Sequence, residues 1–333
     1  MKTASQSLRL QLLCAALLAL TPLAGNAQPT LIADGLAGGS GSTVGPDGAL
    51  YVTEGAVGRV SRIDPETGEV TTFASGLPPF IIGVGGAMDV AFIGQTAYVL
   101  VTVVATDLNI FGPLVPEPGS IVGIYRIDGP DSYTVIADIG AYNLANPPTG
   151  FTFFIPTGVQ YAMDVFRHGF LVTDGHLNRV LWVTLDGEIS EFIAFGNIVP
   201  TGLTVRGNKV YMSQAGPIPH DPETGKIVTF GPKSSFATDL AAGARLMVDV
   251  QLGRGQKIYG LSQGQWNGMG DGSPAIPDDG SLLEINADGT FTVLVDGLDI
   301  PTSFQVIGND AFVVTLLGEV WKIEDISAPP FGR

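Results

Sequence analysis

Cysteine is almost absent from this chain, since Cys14 is the only one among 333 residues. An intramolecular disulfide framework is therefore excluded, as are zinc sites that need several cysteine ligands. The three histidines, His168, His176 and His220, are too widely spaced to match a zinc-binding pattern. A chain of this length can bury a large apolar core and does not depend on such cross-links.

The N-terminal segment has the composition of a secretory signal. Lys2 and Arg9 precede an apolar run over residues 10–20, and a stretch of small residues ends at Ala27. We expect cleavage after Ala27, with residues 1–27 as a signal peptide and residues 28–333 as a single domain of a secreted or periplasmic protein. The apolar run is too short to cross a bilayer stably, so no membrane span is predicted.

Positive charge is also scarce. The chain carries 16 Lys and Arg against 32 Asp and Glu, a formal net charge of −16. Loss of the signal segment would remove Lys2 and Arg9 and bring the charge to −18. A surface this acidic argues against nucleic acid or anionic lipid as a partner. We expect a small molecule, a peptide or a protein instead, bound by a monomer.

A long helical period is missing, and short apolar runs take its place. Residues 161–194 contain four such runs, rich in Val, Ile, Phe and Trp and separated by turn signals with Gly, Asp or Asn. This pattern is typical of a four-stranded antiparallel meander. One meander cannot bury both its faces alone, so copies must pack against each other.

Five further segments repeat this order of strands and turns. They are residues 49–77, 88–136, 199–240, 245–298 and 301–323. The pentapeptide Asp-Pro-Glu-Thr-Gly occurs twice, at 64–68 and at 221–225. The last segment ends after its third strand, whereas residues 30–34 form a lone fourth strand. We therefore predict an all-β, six-bladed β-propeller of four-stranded antiparallel blades, closed by the N-terminal strand.

Catalytic motifs are lacking too. The sequence has no nucleophile elbow, no P-loop and no dinucleotide fingerprint. The long connections, residues 104–119, 137–156, 215–225 and 263–279, are all predicted on one face of the ring. Inserted loops often carry the binding surface of repeat proteins. The leading hypothesis is therefore a binding or scaffold protein that takes its ligand or partner on this face, around the central channel.

The candidate ligand-binding residues lie at the ends of the second strands and in these loops. They are Glu54, Tyr142, Asp174, His176, Gln214, Gln263 and Trp266. The acidic and amide side chains among them could orient a ligand, or could stabilise turns. The loop aromatics could bind a partner, or could pack the loops onto the ring.

An aspartate recurs on three innermost strands, as Asp89, Asp164 and Asp249. A carboxylate between apolar residues is costly unless it is hydrogen-bonded, paired or bound to metal. Three readings stay open from the residues alone. Each aspartate could accept backbone N–H groups of the next blade, the three could hold a Ca²⁺-like divalent cation on the channel axis, or they could supply acid–base catalysis.

The order of Met163-Asp164-Val165, the Val-Thr-Asp ending at 174, Pro200-Thr201-Gly202 and Val248-Asp249-Val250 resembles the ScyD/ScyE family. That family comprises exported bacterial β-propellers related to the NHL-repeat and gluconolactonase-like propellers. The resemblance implies a six-bladed propeller outside the cytoplasm. The gluconolactonase-like relatives bind a divalent ion on the axis, which implies, as the alternative function, a metal-dependent hydrolase or lyase. Their inner-strand asparagine is replaced here by Thr201.

Overall fold

The computed structural model describes residues 28–104, 120–150 and 154–327. The signal segment predicted at residues 1–27 lies outside the described residues. Six four-stranded antiparallel sheets form the blades of a β-propeller, as the sequence predicts. In each blade the strands follow one another in sequence order, from the innermost strand near the channel axis to the outermost.

The strands are as follows. Blade 1 contains β2 (Gly39–Val44), β3 (Leu50–Glu54), β4 (Arg59–Ile63) and β5 (Val70–Ala74). Blade 2 contains β6 (Gly86–Ile93), β7 (Thr96–Thr102), β8 (Gly123–Gly129) and β9 (Ser132–Asp138). Blade 3 contains β10 (Gln160–Phe166), β11 (Gly169–Asp174), β12 (Arg179–Thr184) and β13 (Ile189–Ala194). Blade 4 contains β14 (Pro200–Arg206), β15 (Lys209–Gln214), β16 (Gly225–Phe230) and β17 (Thr238–Ala244). Blade 5 contains β18 (Met247–Leu252), β19 (Ile258–Ser262), β20 (Gly280–Ile285) and β21 (Phe291–Leu298). Blade 6 contains β22 (Pro301–Ile307), β23 (Asp310–Thr315), β24 (Val320–Ile323) and β1 (Thr30–Ala33).

The ring closes through the N-terminal strand. Leu31 of β1 pairs with Trp321 of β24, and Ala33 pairs with Val320. The chain therefore enters the last blade as its outermost strand, and no blade is left incomplete. This closure confirms the prediction from the lone fourth-strand sequence at residues 30–34.

The core lies between the blades. Second strands such as β3 and β11 are buried at every position, whereas the outermost strand β5 is mostly exposed. Leu50 of blade 1 and Val314 of blade 6 belong to one buried cluster, and Leu171 of blade 3 and Met212 of blade 4 belong to another. Each blade thus buries its two faces against its neighbours, which is why a single meander could not fold alone.

Connections collect on two faces of the ring. Because the strands alternate in direction, the turns between second and third strands share one face with the crossings between blades. We call this the loop face, and the other the opposite face. The described part of the crossing from blade 2 to blade 3 contains helix α1 (Ile139–Ala145), which begins where the Asp138 side chain accepts the Ala141 N–H at 2.8 Å.

All six innermost strands have an irregular start. In each, the pairing with the second strand shifts register near the loop face; in β10 the shift falls between Gln160 and Met163, and in β18 between Met247 and Asp249. A bulge of this kind interrupts the alternation of side chains between the two sides of a strand. The side of the strand on which each polar residue near the axis lies therefore cannot be read from simple alternation along the sequence.

The two identical pentapeptides lie on different faces of the ring, residues 64–68 on the opposite face and residues 221–225 on the loop face. Residues 64–68 join the third and fourth strands of blade 1, where the Asp64 carboxylate accepts the Thr67 N–H at 2.9 Å and Gly68 has a φ of 73°. Residues 221–225 end the connection between the second and third strands of blade 4, where Glu223 has the positive φ of 62°. Identical sequence therefore does not mark equivalent positions here.

Candidate functional site

The channel along the propeller axis contains two spaces. The first, the axial cavity, has a volume of about 130 Å³ and is lined by residues of all six innermost strands. The second, the loop-face pocket, has a volume of about 450 Å³ and opens among the connections of the loop face. Their linings share Ser40, Met88, Tyr161 and Thr302.

The three axial aspartates line the axial cavity and connect successive blades. Asp89 of blade 2 accepts the Met163 N–H of blade 3 at 2.7 Å. Asp164 of blade 3 accepts the Val205 N–H of blade 4 at 2.7 Å. In the same way, the second oxygen of each aspartate accepts the N–H of the residue that follows it in sequence.

Asp249 repeats the arrangement between blades 5 and 6. It accepts the Phe304 N–H at 2.9 Å. On its other side the α-carbon of Gly202 comes so close that a β-carbon there would lie 2.4 Å from the Asp249 Oδ1. The carboxylate therefore packs against Gly202 of blade 4 and hydrogen-bonds to blade 6. Gly41 and Asp89 make the same close approach between blades 1 and 2.

Burial perturbs the titration of these aspartates. It raises the pKa of Asp164 to about 6 and that of Asp249 to about 7, although the backbone N–H groups act in the opposite direction. The pKa of Asp89 is raised well above its usual value by burial, and further by the negative charges of Asp249 and Asp164. Near neutral pH, Asp164 and Asp249 are therefore protonated in a larger fraction of molecules than ordinary aspartates are.

The axial aspartates do not fit a divalent-cation site in this arrangement. Both oxygens of each carboxylate already accept backbone N–H groups, and Ca²⁺ needs six to eight oxygen ligands around one point. Among the described residues, no three His, Cys, Asp or Glu side chains converge as metal ligands would. Thr201 donates its hydroxyl to the Met247 carbonyl oxygen at 2.8 Å.

Glu54, predicted as a ligand residue, lies in the interior of blade 1. Its carboxylate accepts hydrogen bonds from Arg59 Nε at 2.7 Å, from the Ser61 hydroxyl and from the Ala37 N–H at 2.6 Å. Burial favours the neutral acid, but these donors outweigh it and hold the pKa of Glu54 below its usual range. Glu54 therefore anchors the start of the first blade and does not line the pocket.

Asp174 is a second interior anchor. It is fully buried and accepts hydrogen bonds from Asn143 Nδ2 at 2.8 Å and Gln160 Nε2 at 2.7 Å, besides two backbone N–H groups. Arg179, which is only 2% exposed, donates in turn to Asn143 Oδ1 at 2.8 Å. This network fixes α1 to blade 3. Burial nevertheless raises the pKa of Asp174.

Three more predicted residues lie outside the loop-face pocket. Tyr142 is on α1, with the Arg179 guanidinium 5.6 Å from its ring centre. Gln214 is buried at the end of β15. Trp266 donates its indole N–H to the Ser273 hydroxyl at 2.8 Å and packs edge-on against His220. The aromatic side chains of Tyr142 and Trp266 thus hold the loops in place.

His176 and Gln263 are the two predicted residues that line the loop-face pocket. The Ile155 N–H donates to His176 Nε2 at 3.2 Å, and the Gln263 Nε2 donates to the Pro301 carbonyl oxygen at 3.2 Å. Gln263 also accepts the Ala275 N–H with its oxygen at 3.0 Å, which ties its own loop to the channel mouth.

The pocket is mainly apolar and has fewer polar groups. Its apolar side chains come from loop-face connections and from the starts of innermost strands: Phe80, Ile82, Val84, Met88, Phe154, Ile155, Val159, Val199, Ala215, Ile218, Leu246, Val248, Pro274 and Leu316. His220 and Asp271 join His176 among the polar groups. Burial lowers the pKa of both imidazoles, so both are neutral near pH 7; the Asp271 carboxylate opposes this shift at each.

Tyr161 lies between the two spaces. It comes from the start of β10, and its hydroxyl donates to the Thr302 carbonyl oxygen of blade 6 at 3.1 Å, across the channel. Burial raises the pKa of the Tyr161 hydroxyl, and the charges of Asp249 and Asp89 raise it further, so the group stays neutral. Tyr161 and Met88 therefore form the floor of the pocket and the roof of the cavity.

Tyr161, Asp271 and the apolar segment at residues 80–84 are not among the ligand-binding residues predicted from the sequence. A signal for the segment was present, because it is an apolar crossing between blades with no strand partner. Tyr161 had no comparable signal, since the bulge in β10 determines that its side chain points across the channel.

Comparison with solved structures finds the same architecture in several enzymes. A gluconolactonase of Xanthomonas campestris is similar over 90% of this chain and 91% of that chain, with a TM-score of 0.60 and 13% identity. A PQQ-bound aldose sugar dehydrogenase of Streptomyces coelicolor is similar over 90% of this chain and 98% of that chain, with a TM-score of 0.59 and 14% identity.

A virginiamycin B lyase of Staphylococcus aureus is similar over 89% of this chain and 98% of that chain, with a TM-score of 0.53 and 13% identity. At these identities the likeness shows a shared propeller fold. No protein-family model matches the sequence, and no curated protein is similar enough in sequence to match it. The resemblance to the ScyD/ScyE family therefore stays a prediction. No helix among the described residues is long and apolar enough to cross a membrane.

Proposed function

We propose that this protein binds a small, mainly apolar molecule in the loop-face pocket. The observation that carries the proposal is the size and lining of the pocket. Its volume of about 450 Å³ lies within the range of about 300–1,000 Å³ that is usual for small-molecule sites. A mainly apolar wall with a smaller number of polar groups is also the usual composition of such sites.

The axial cavity is a weaker candidate. Its volume of about 130 Å³ corresponds to roughly four water molecules at about 30 Å³ each. The carboxylates that line it also already have hydrogen-bond partners.

Fluorescence of the uncharged probe N-phenyl-1-naphthylamine tests the proposal. We expect its emission to rise on binding to the purified chain, and we expect Val84→Trp to abolish this rise by filling the pocket. Val84 is a half-buried lining residue, so the larger side chain can enter the free space. Val57→Trp is the matched control, because Val57 is exposed on the same face but does not line the pocket. Equal binding by both variants would contradict the proposal.

We also propose export of this binding protein to the periplasm or the medium, on the basis of the signal-like segment at residues 1–27. Expression of the full chain in a bacterium, followed by N-terminal sequencing of the exported protein, should give a chain that begins at Gln28. Retention of the intact chain in the cytoplasm would contradict it.

A hydrolase or lyase is the second candidate. It is supported by the fold likeness to a gluconolactonase and a lyase, and by two axial aspartates with pKa values of about 6 and 7. A divalent ion at Asp89, Asp164 and Asp249 would have to share carboxylate oxygens that already accept backbone N–H groups. Elemental analysis of the purified chain tests the ion, and a panel of lactones and esters tests the activity. Activity that survives Asp249→Asn would remove the axial site from consideration.

A further inference from the structure

The permanently charged side chains among the described residues of the loop-face pocket are all negative. None of the described residues that line it is a lysine or an arginine. Its two imidazoles, His176 and His220, are in an environment that favours the neutral form. Asp271 is the only carboxylate among the described residues of the lining. A negatively charged ligand would therefore meet no positive charge in the pocket.

Asp271 differs from the axial aspartates in its contacts. Among residues 28–104, 120–150 and 154–327, no lysine or arginine pairs with Asp271 and no group donates a hydrogen bond to its carboxylate. In the neighbouring part of the same connection, Asp279 faces Arg245 at 3.5 Å. The Asp271 carboxylate is exposed at the mouth and lies near enough to both imidazoles to affect their titration.

Large apolar side chains extend the pocket outward over the loop face. Ile82 and Phe154 line the mouth and are partly exposed, and Met269 and Leu317 project further out from neighbouring turns. An apolar molecule that fills the pocket can thus continue its contact beyond it. The polar end of such a molecule would lie beside Asp271.

We propose that the loop-face pocket excludes anions and prefers an apolar molecule that carries a single positive charge, with Asp271 as its counter-ion. The inference rests on the proposed function. An anion would lose its hydration against apolar walls without gaining a charged partner, which is the costly case of burial. A cation would keep part of its hydration at the mouth and gain the attraction of Asp271.

Three ligands with the same ten-carbon chain test the charge preference: decyltrimethylammonium, decanol and decanoate. Each is titrated against bound N-phenyl-1-naphthylamine. We expect the cation to displace the probe about three- to fivefold more effectively than the alcohol, the size of one exposed ion pair. We expect decanoate to be at least about tenfold weaker than the alcohol.

Asp271→Asn should remove the advantage of the cation over the alcohol and leave the alcohol unchanged. Asp186→Asn is the matched control, because Asp186 is exposed in the turn between β12 and β13 on the opposite face. It lowers the net negative charge by the same amount. An equal effect of both variants would show that the overall charge of the chain causes the preference, and would overturn the assignment to Asp271.

The outcomes separate the inference from the proposed function. If the probe does not bind at all, or binds to Val84→Trp as well as to the wild type, the proposed function fails. If the probe binds and the three ligands displace it equally, the charge preference alone is wrong. An order of cation, alcohol and carboxylate that depends on Asp271 supports both.

Discussion

The axial cavity and the loop-face pocket lie on one channel, with volumes of about 130 and 450 Å³, and Tyr161 and Met88 separate them. The cavity is narrow and carries three carboxylates, each of which accepts two backbone N–H groups. The pocket is wide and mainly apolar, and Asp271, the one carboxylate among its described lining residues, accepts no backbone N–H group from the described part of the chain. The comparison shows that Asp89, Asp164 and Asp249, which stand out in the sequence because apolar residues flank them, connect the blades. The larger space for a ligand lies in the loop-face pocket.

The structural role of the axial aspartates can first be tested by measuring how the stability of the fold depends on pH. Burial raises the pKa of Asp249 from 3.8 to about 7, and three units correspond to about 4 kcal/mol. A raised pKa means that the folded state binds the proton more tightly than the unfolded state. This contribution to stability is therefore complete below about pH 4 and is lost as the pH rises through about 7. Urea denaturation of the wild type and of Asp249→Asn across this range measures it.

Asp249→Asn is the reference for this titration because asparagine has no proton to exchange in the same range. The stability of the variant should fall less steeply than that of the wild type between about pH 4 and pH 7. The lowered pKa values of His176 and His220 act in the opposite sense, since protonation of either imidazole below its usual pKa destabilises the fold, but they act equally in both chains. If the stability of both chains changed equally with pH, the raised pKa of Asp249 would be contradicted.

Asp174 tests whether an acid next to the pocket belongs to the framework. Asp174→Ala should lower the unfolding free energy by about 3 kcal/mol or more, because four hydrogen-bond donors lose their buried acceptor. Denaturation midpoints measure the change, and Asp186→Ala is the exposed control. A stability like that of the control, together with loss of probe binding, would make Asp174 a ligand residue instead.

Asp249→Asn also tests the connection between blades directly. At neutral pH we expect a loss of about 2 kcal/mol, because the amide can accept one of the two backbone N–H groups and not both. Binding of N-phenyl-1-naphthylamine should stay unchanged, since Asp249 does not line the loop-face pocket. Weaker probe binding at full stability would mean that the two spaces act as one site.

The smallest expected effect concerns the boundary between the spaces. Tyr161→Phe removes one hydrogen bond to the Thr302 carbonyl oxygen and should cost about 1 kcal/mol. The ring remains between the cavity and the pocket, so the affinity for the probe should not change. A clear loss of affinity would show that the hydroxyl contacts the ligand, and thermal unfolding of the same samples serves as the control for stability.

Much of the architecture could be predicted because its signals are local. Short apolar runs and turn residues recur six times, and the unpaired first strand matches the missing fourth strand of the last blade. The setting of Asp89, Asp164 and Asp249 between apolar residues was also visible, and hydrogen bonding to the next blade was among the open alternatives. The accepted N–H groups belong to residues far away in sequence, so only the packed ring could select among them.

By itself, the sequence determined the number of blades, the closure of the ring and the face on which the long connections lie, because strand and turn periodicity is read within a few residues. The tertiary structure decided which side chains reach the channel. Each innermost strand has a register shift near its start, and one displaced residue reverses the side to which the following side chains point. The shift in β10 accounts for Tyr161, which crosses the axis. Glu54 and Asp174 end second strands and are enclosed by the packing of the blades, whereas Asp271 lies in a connection at the mouth of the pocket.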